Sequence, residues 1–290
     1  MTRPDSYQGS AQLVPTCRGA ETDFTTNLQQ MTRKKIKRVL YPMLMTILLF
    51  VISLAATILY PQPLFAHKVE YKQFKVYSND TIGNEIKPIL DTALSLVGRS
   101  ELYDLNYKVD IFLAYNSFFN KVDDKVFGLG PSARAIDNNL VIKVKVDIGK
   151  NLAYATFHKP CQPGFAYLIA HEMVHCFQTH KYGIWKFNPF SHPEMWKLEG
   201  YPEYIARQKS SDPDDSLKED IKRFIEFNRK QTDIWVAVEE GGCEFPEVYY
   251  KGRLMTEYLI NVKQLTYDQV LKDKRSENEI YDEMKAWANK

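Results

Sequence analysis

Within the stretch AYLIAHEMVHCFQTH, Ala166 to His180, two histidines stand one helical turn apart, with a glutamate directly after the first: His171, Glu172 and His175. The stretch has no Gly or Pro and is rich in good helix formers, which predicts a helix. At about 100° per residue the two imidazoles fall about 40° apart around that helix, and Glu172 falls about 60° from His175. All three project into one sector. Two imidazoles so placed can share one zinc ion, and a carboxylate beside them can take a proton from an attacking water. An ordinary helix carries the same pattern by chance, so a third ligand is required.

Three residues compete for that place. His180 falls one residue early for the spacing HExxHxxGxxH, and Phe177, Gln178 and Thr179 supply no glycine. His192 sits in the loop-like PFSHPEMW, where a histidine is more often a surface residue. Glu199 lies in PEMWKLEGYPEYIARQ, which reads as a second helix with Glu199 and Glu203 at i and i+4, and it is the best candidate. Glu203 reads either as an acceptor behind a histidine or, more commonly for such a residue, as an exposed helix carboxylate.

At these residues the chain resembles the gluzincin metallopeptidases, the group of aminopeptidase N and leukotriene A4 hydrolase. That family follows HExxH with a glutamate helix of the form W..EG.A.Y, matched here by Trp196, Glu199, Gly200 and Tyr204, with Pro202 in place of the usual small residue. The stretch KFNPFSHP looks like an added loop before it. Downstream, YYKGRLMTEYL (Tyr249 to Leu259) resembles the family's Y.KG....YL segment. The resemblance spans roughly Phe165 to Leu259 and implies a zincin-like fold with one Zn2+ held by His171, His175 and Glu199. It further implies Glu172 as general base and Tyr249 as donor to the oxyanion. The GxMEN segment with which the aminopeptidases read a free amino terminus has no match in FGLGPSARAIDNNLVI, which favours an endopeptidase. By analogy with zincin edge strands, Ser132 to Ala135 would pair with the substrate backbone.

These residues need a scaffold. With 290 residues, 44% of them hydrophobic, the chain can bury a sizeable core. VEYKQFKVYS (Val69 to Ser78) and YKVDIFLAY (Tyr107 to Tyr115) alternate like strands, with NEIKPILDTALSLV helical between them. ARAIDNNLVIKVKVD predicts two strand arms about the turn-prone DNN. After Phe165 the pattern is helical almost to the end, including DDSLKEDIKRFIEFNRKQ and SENEIYDEMKAWANK. Strands first and helices after predict an α+β fold: a small N-terminal mixed sheet with helices, then a helical C-terminal part.

Ahead of this domain, RKKIKR (Arg33 to Arg38) leads into the uncharged run Val39 to Tyr60, long enough for a helix to cross a bilayer. The basic cluster predicts a single-pass chain with its N-terminus cytoplasmic and its bulk outside. The expected organisation is a cytoplasmic tail over 1–38, a transmembrane helix over 39–60, a linker with the first strand over 61–75, and the metallopeptidase domain over 76–290. A cleaved signal ending at Ala66 competes, but the apolar run is too long and Leu64 is a poor small residue before a cut. Met31 is a plausible alternative start. Outside the membrane, Cys161, Cys176 and Cys243 permit one disulfide, with Cys161–Cys243 weakly preferred, while Cys17 falls in the tail.

Basic and acidic residues, 38 against 36, nearly cancel, which argues against a nucleic-acid partner. The expected partners are a peptide or protein substrate and, through residues 39–60, the lipid bilayer. A catalytically silent binding or adaptor domain tethered to the membrane is the alternative; an adaptor would hold no metal.

Overall fold

A computed structural model describes residues 19–128, 132–154, 164–187, 191–207, 213–228, 235–237 and 244–290. Cys17, Cys161 and Cys243 lie outside these residues, as does the disulfide expected between two of them; Cys176 is a buried free thiol. The chain divides into two units, 1–57 and 58–290.

The first unit is built on helix α1 (Gly19–Leu59), which runs through the basic cluster and contains Pro42. Its stretch Lys37–Leu59 is long and apolar enough to cross a membrane, and none of its residues is buried.

The second unit is α+β. Strands β1 (His67–Tyr71) and β2 (Phe74–Ser78) form a hairpin where the alternation of VEYKQFKVYS suggested one strand. The reversal falls at Lys72 and Gln73, and Lys72 takes a left-handed φ of 51° without the Asn-Gly signature that announces such turns. Two bonds hold it: the Tyr71 hydroxyl and the Lys72 ammonium both donate to Asp91, at 3.0 and 2.6 Å. Asp91 belongs to α2 (Ile86–Val97), whose apolar face packs Ile89, Leu90 and Ala93 under the sheet. Strand β3 (Val109–Leu113) follows, then α3 (Phe118–Phe127), capped by the Ser117 hydroxyl and closed by Gly128 at φ 66°.

Strands β4 (Ala133–Ile136) and β5 (Asn139–Ile142) form the second hairpin about Asp137 and Asn138. The sheet order is β1-β2-β3-β5-β4, parallel at its centre and antiparallel at both edges, with β4 an edge strand. Ion pairs centred on the buried Asp123 and Lys143 tie α3 to this edge. Lys143 lies 3.0 Å from Asp123 and 2.6 Å from Asp124, and Arg134 pairs with Asp123. A small ladder, β6 (Lys145–Asp147) with β7 (Leu152–Tyr154), leads into α4 (Phe165–Tyr182).

Alternation gives the sheet two apolar faces. Val76, Val109, Ile111, Leu140 and Ile142 face α2 and α4 in the main core. Tyr77, Phe112 and Val141 face the other way, covered by Phe119 and by Leu64 and Phe65 of the segment that follows α1. The folded unit therefore begins ahead of β1, and residues 61–75 are part of it.

Helices α5 (Met195–Ala206) and α6 (Pro213–Asn228) come next. The stretch expected to stay helical is then interrupted by a short antiparallel pair, β8 (Trp235–Ala237) and β9 (Glu244–Pro246), too brief to show a period of two. Helix α7 (Glu247–Glu257) runs into a π-turn, and α8 (Tyr267–Lys272) and α9 (Glu277–Ala288) each open on a capping box, Thr266 with Gln269 and Ser276 with Glu279.

Candidate metal centre

Helix α4 lies beneath the sheet with Ile169, Ala170, Met173, Val174 and Phe177 fully buried. Its remaining sector carries His171 and His175, whose rings stand 5.0 Å apart. The glutamate helix α5 packs beside it and brings Glu199 to both. The Glu199 Oε2 lies 3.4 Å from His171 Nε2 and 3.2 Å from His175 Nε2. These donors all lie within 4.8 Å of one another, close enough for one cation to bridge. A tetrahedral zinc with N and O ligands at about 2.0–2.1 Å has ligand-to-ligand edges of about 3.3–3.4 Å. The two Glu199–histidine separations lie close to such edges, and two imidazoles with one carboxylate are a donor set that zinc favours.

Each histidine has a polar side chain behind it, facing its other nitrogen. His171 Nδ1 lies 3.2 Å from Glu203 Oε1. Glu203 is only 5% exposed, which corrects its expected role as a surface carboxylate: one turn beyond Glu199, it falls on the same inward face. Its Oε1 also accepts from the Tyr167 hydroxyl and its Oε2 from Arg207 Nε at 2.7 Å, while Arg207 Nε reaches Tyr167 at 3.1 Å. Burial opposes the charge on Glu203, but Arg207 and His171 outweigh it and keep the carboxyl below its ordinary range.

His175 Nδ1 lies 2.7 Å from the Gln178 side-chain carbonyl. The Gln178 amide donates to the Leu198 carbonyl at 3.0 Å and to the Tyr267 hydroxyl at 2.7 Å, and Tyr267 donates to the Lys197 carbonyl at 2.9 Å. Pro202 explains why Leu198 has an acceptor to offer. Lacking an N–H, Pro202 cannot make the helix bond to the carbonyl four residues back, which is that of Leu198. Gln178 of α4 supplies the missing donor. Gln178 accepts from His175 Nδ1 and Glu203 faces His171 Nδ1, and both imidazoles turn Nε2 toward Glu199.

Charge follows this geometry. Burial disfavours a charged imidazole, yet Glu199 and Glu203 hold His171 up to about 10, and Glu199 likewise raises His175. Glu199 itself is pushed down: burial works against it, but the two histidines prevail. Glu172, also buried, moves upward because desolvation outweighs the neighbouring imidazoles. The pocket concentrates carboxylates that favour a cation.

Tyr249, in the first turn of α7, places its ring 6.0 Å from that of His171. The negative charge of Glu199, then burial, pushes its phenol upward, so it remains a hydrogen-bond donor. Its neighbour Tyr250 turns away and stacks on Phe224 at 5.7 Å. What brings α7 so near is glycine on both sides. A Cβ on Gly200 would stand 2.4 Å from the Gly252 carbonyl oxygen, and one on Gly252 would stand 2.9 Å from the Trp196 carbonyl oxygen. The glycines of the EG and KG segments thus let the two helices touch backbone to backbone.

No known family model matches the sequence, and no curated protein matches it.

The other two histidines stay outside the cluster. His180 is exposed, 3.7 Å from Asp104, with its ring 4.4 Å from that of Tyr107. His192 is exposed and turns to the Pro193 carbonyl. Ser132 to Ala135 lie at the start of the edge hairpin, where β4 packs beside α4. Gln178, Tyr167 and Arg207 were not singled out from sequence. Gln178 carried one readable signal, its position one turn beyond His175.

Proposed function

We propose that this chain is a membrane-anchored zinc metallopeptidase with a zincin-like catalytic domain. In this reading His171, His175 and Glu199 hold one Zn2+ per chain, and α1 anchors the domain outside the cytoplasm. The observation that carries it is the convergence of His171 Nε2 and His175 Nε2 on Glu199 Oε2 at separations that fit the edges of a zinc tetrahedron. When bound, zinc supplies a Lewis acid that polarises the scissile carbonyl and acidifies water.

The chain's own residues do the rest. Gln178 orients His175 by accepting from its Nδ1, and the Glu203 carboxylate stands behind His171 at ion-pair distance from its Nδ1. The Glu172 carboxylate takes the proton of the attacking water and returns it to the departing amine. Its upward shift brings it nearer the working pH, which suits a group that must both accept and release a proton. Tyr249, kept protonated beside Glu199, donates its hydroxyl hydrogen to the carbonyl oxygen as negative charge develops there. The edge strand β4 beside α4 offers backbone groups to an extended peptide. The missing amino-terminus-reading glutamate favours internal bonds over terminal ones.

The test is Glu172→Gln. The variant should keep its metal, because Glu172 is not among the three converging ligands, and should lose peptide hydrolysis. A metal-loaded Glu172→Gln protein that hydrolyses peptides as fast as the native chain would overturn the assignment.

A further inference from the structure

The folded unit carries a second surface whose position bears on where the pocket works. Leu59, the last residue of the membrane-length stretch, is fixed to the sheet: its carbonyl accepts from Asn139 Nδ2 at 2.8 Å. Gln62 donates to Asp110 at 3.0 Å, and Phe65 packs on Phe112 at 5.3 Å. Residues 59–65 are thus part of the folded unit that begins at residue 58. Asn139 and Asp110 are register partners at the start of β5 and β3, so the chain enters the domain at that end of the sheet.

The same end exposes apolar side chains on rigid supports. Just ahead of β3, the turn Asp104 to Tyr107 is closed by Asn106 N to Asp104 Oδ1 at 2.8 Å and by Tyr107 N to Asp104 O at 3.2 Å, and it holds Leu105 out, 70% exposed. Asp104 and Tyr107 touch His180 near the end of α4. Beyond His180 the helix stops at Gly183, where φ is 85°, and the chain turns back with Lys186 N and Phe187 N both bonded to the Gly183 carbonyl. Phe187 is buried against Tyr182 at 5.2 Å. Between these anchors Ile184 is 43% and Trp185 86% exposed. Lys108 and Lys186 are exposed beside the two tips. Tyr115 and Phe118, also exposed, lie past the other end of β3 and have no such link to Leu59.

We propose that the end of the domain bearing Leu105, Ile184 and Trp185 rests on the surface of the bilayer that the chain's own apolar helix enters. Indole and aliphatic side chains settle at the headgroup level, and flanking lysines favour anionic lipid. This rests on the membrane-anchored reading above. Its consequence for the pocket is a ceiling on height. Counting from His171 to the end of α4 at a rise of 1.5 Å per residue, the metal ligands stand within about 20 Å of that surface.

The test uses the full chain in vesicles of equimolar phosphatidylcholine and phosphatidylglycerol, the phosphatidylcholine brominated close to the headgroup to quench tryptophan. Part of the native fluorescence should be quenched, and Trp185→Phe should remove that quenched share. Phe50→Trp in the apolar helix, with bromines placed deeper, reports the anchoring separately. Quenching at position 50 with equal quenching of the native and Trp185→Phe chains would overturn the docking and leave the anchor standing. No quenching at position 50 would overturn both. The readout is independent of hydrolysis, so Glu172→Gln should quench as the native chain does, and an inactive native chain with this quenching would sink the peptidase reading alone.

Discussion

Gln178 joins the histidine helix to the glutamate helix, and its removal separates two effects. In Gln178→Leu the Leu198 carbonyl loses the donor that stands in for the missing N–H of Pro202, and His175 Nδ1 loses its acceptor. A buried carbonyl left unsatisfied costs about 1–3 kcal/mol. Tyr267 keeps its bond to Lys197 and adds little to this. Loss of an orienting partner behind a metal-bound imidazole lowers metal affinity about 10–100-fold. The informative step is Pro202→Ala in the same background. It restores an N–H one turn beyond Leu198, so the carbonyl regains a partner from its own helix, whereas His175 regains nothing. Relief from proline inside a helix contributes in both backgrounds, so a double-mutant cycle is needed to remove it. The expected coupling is about 1 kcal/mol, with Pro202→Ala stabilising the Gln178→Leu chain more than the native one. Chemical denaturation of the four proteins gives the cycle, and competitive zinc titration gives the affinities. Zero coupling, or recovery of zinc affinity by Pro202→Ala alone, would refute the shared-carbonyl argument.

Three further outcomes follow from the same geometry. Tyr249→Phe should lower kcat about 100-fold or more with zinc content and melting temperature unchanged, while Tyr250→Phe, which alters a ring stacked on Phe224, should be mild; equal activity of the two would remove Tyr249 from the mechanism. Gly200→Ala should destabilise the fold by about 1–3 kcal/mol or more, because its Cβ meets the backbone of Gly252 at 2.4 Å and the helices must part; an unchanged denaturation midpoint would contradict that close approach. The pH dependence has a definite sign. His171 is held at about 10 in the folded chain against an ordinary 6.5, so its contribution is complete below 6.5 and is lost as pH rises toward 10. The chelated protein should therefore lose melting temperature across that window, and the zinc-loaded protein should not; a chelated protein that gains stability there would reverse the assignment.

The grouping of the cluster's side chains was legible in sequence where it was local, and their supports were not. The sector shared by His171, Glu172 and His175 is a property of one helix and follows from its period. Glu203 was equally legible in principle, since i+4 from Glu199 places it on the same face, but its burial depends on Tyr167 and Arg207 closing over it. Pro202 read as a departure from a pattern; its meaning lies in a glutamine on another helix. The glycines of two motif segments proved to be one feature, a contact between α5 and α7 that neither segment reveals alone. The β1–β2 turn escaped because Lys72 and Gln73 carry no turn signature, their conformation being held by Asp91 from α2.

The central claim is a zinc ion held by His171, His175 and Glu199, and elemental analysis of the purified full chain tests it most directly. The native protein should carry about one zinc per chain, Glu199→Ala should lose it, and His180→Ala, which alters a histidine outside the cluster, should retain it. A native chain without stoichiometric zinc after incubation with the metal, or one that keeps its zinc in Glu199→Ala and loses it in His180→Ala, would contradict the claim.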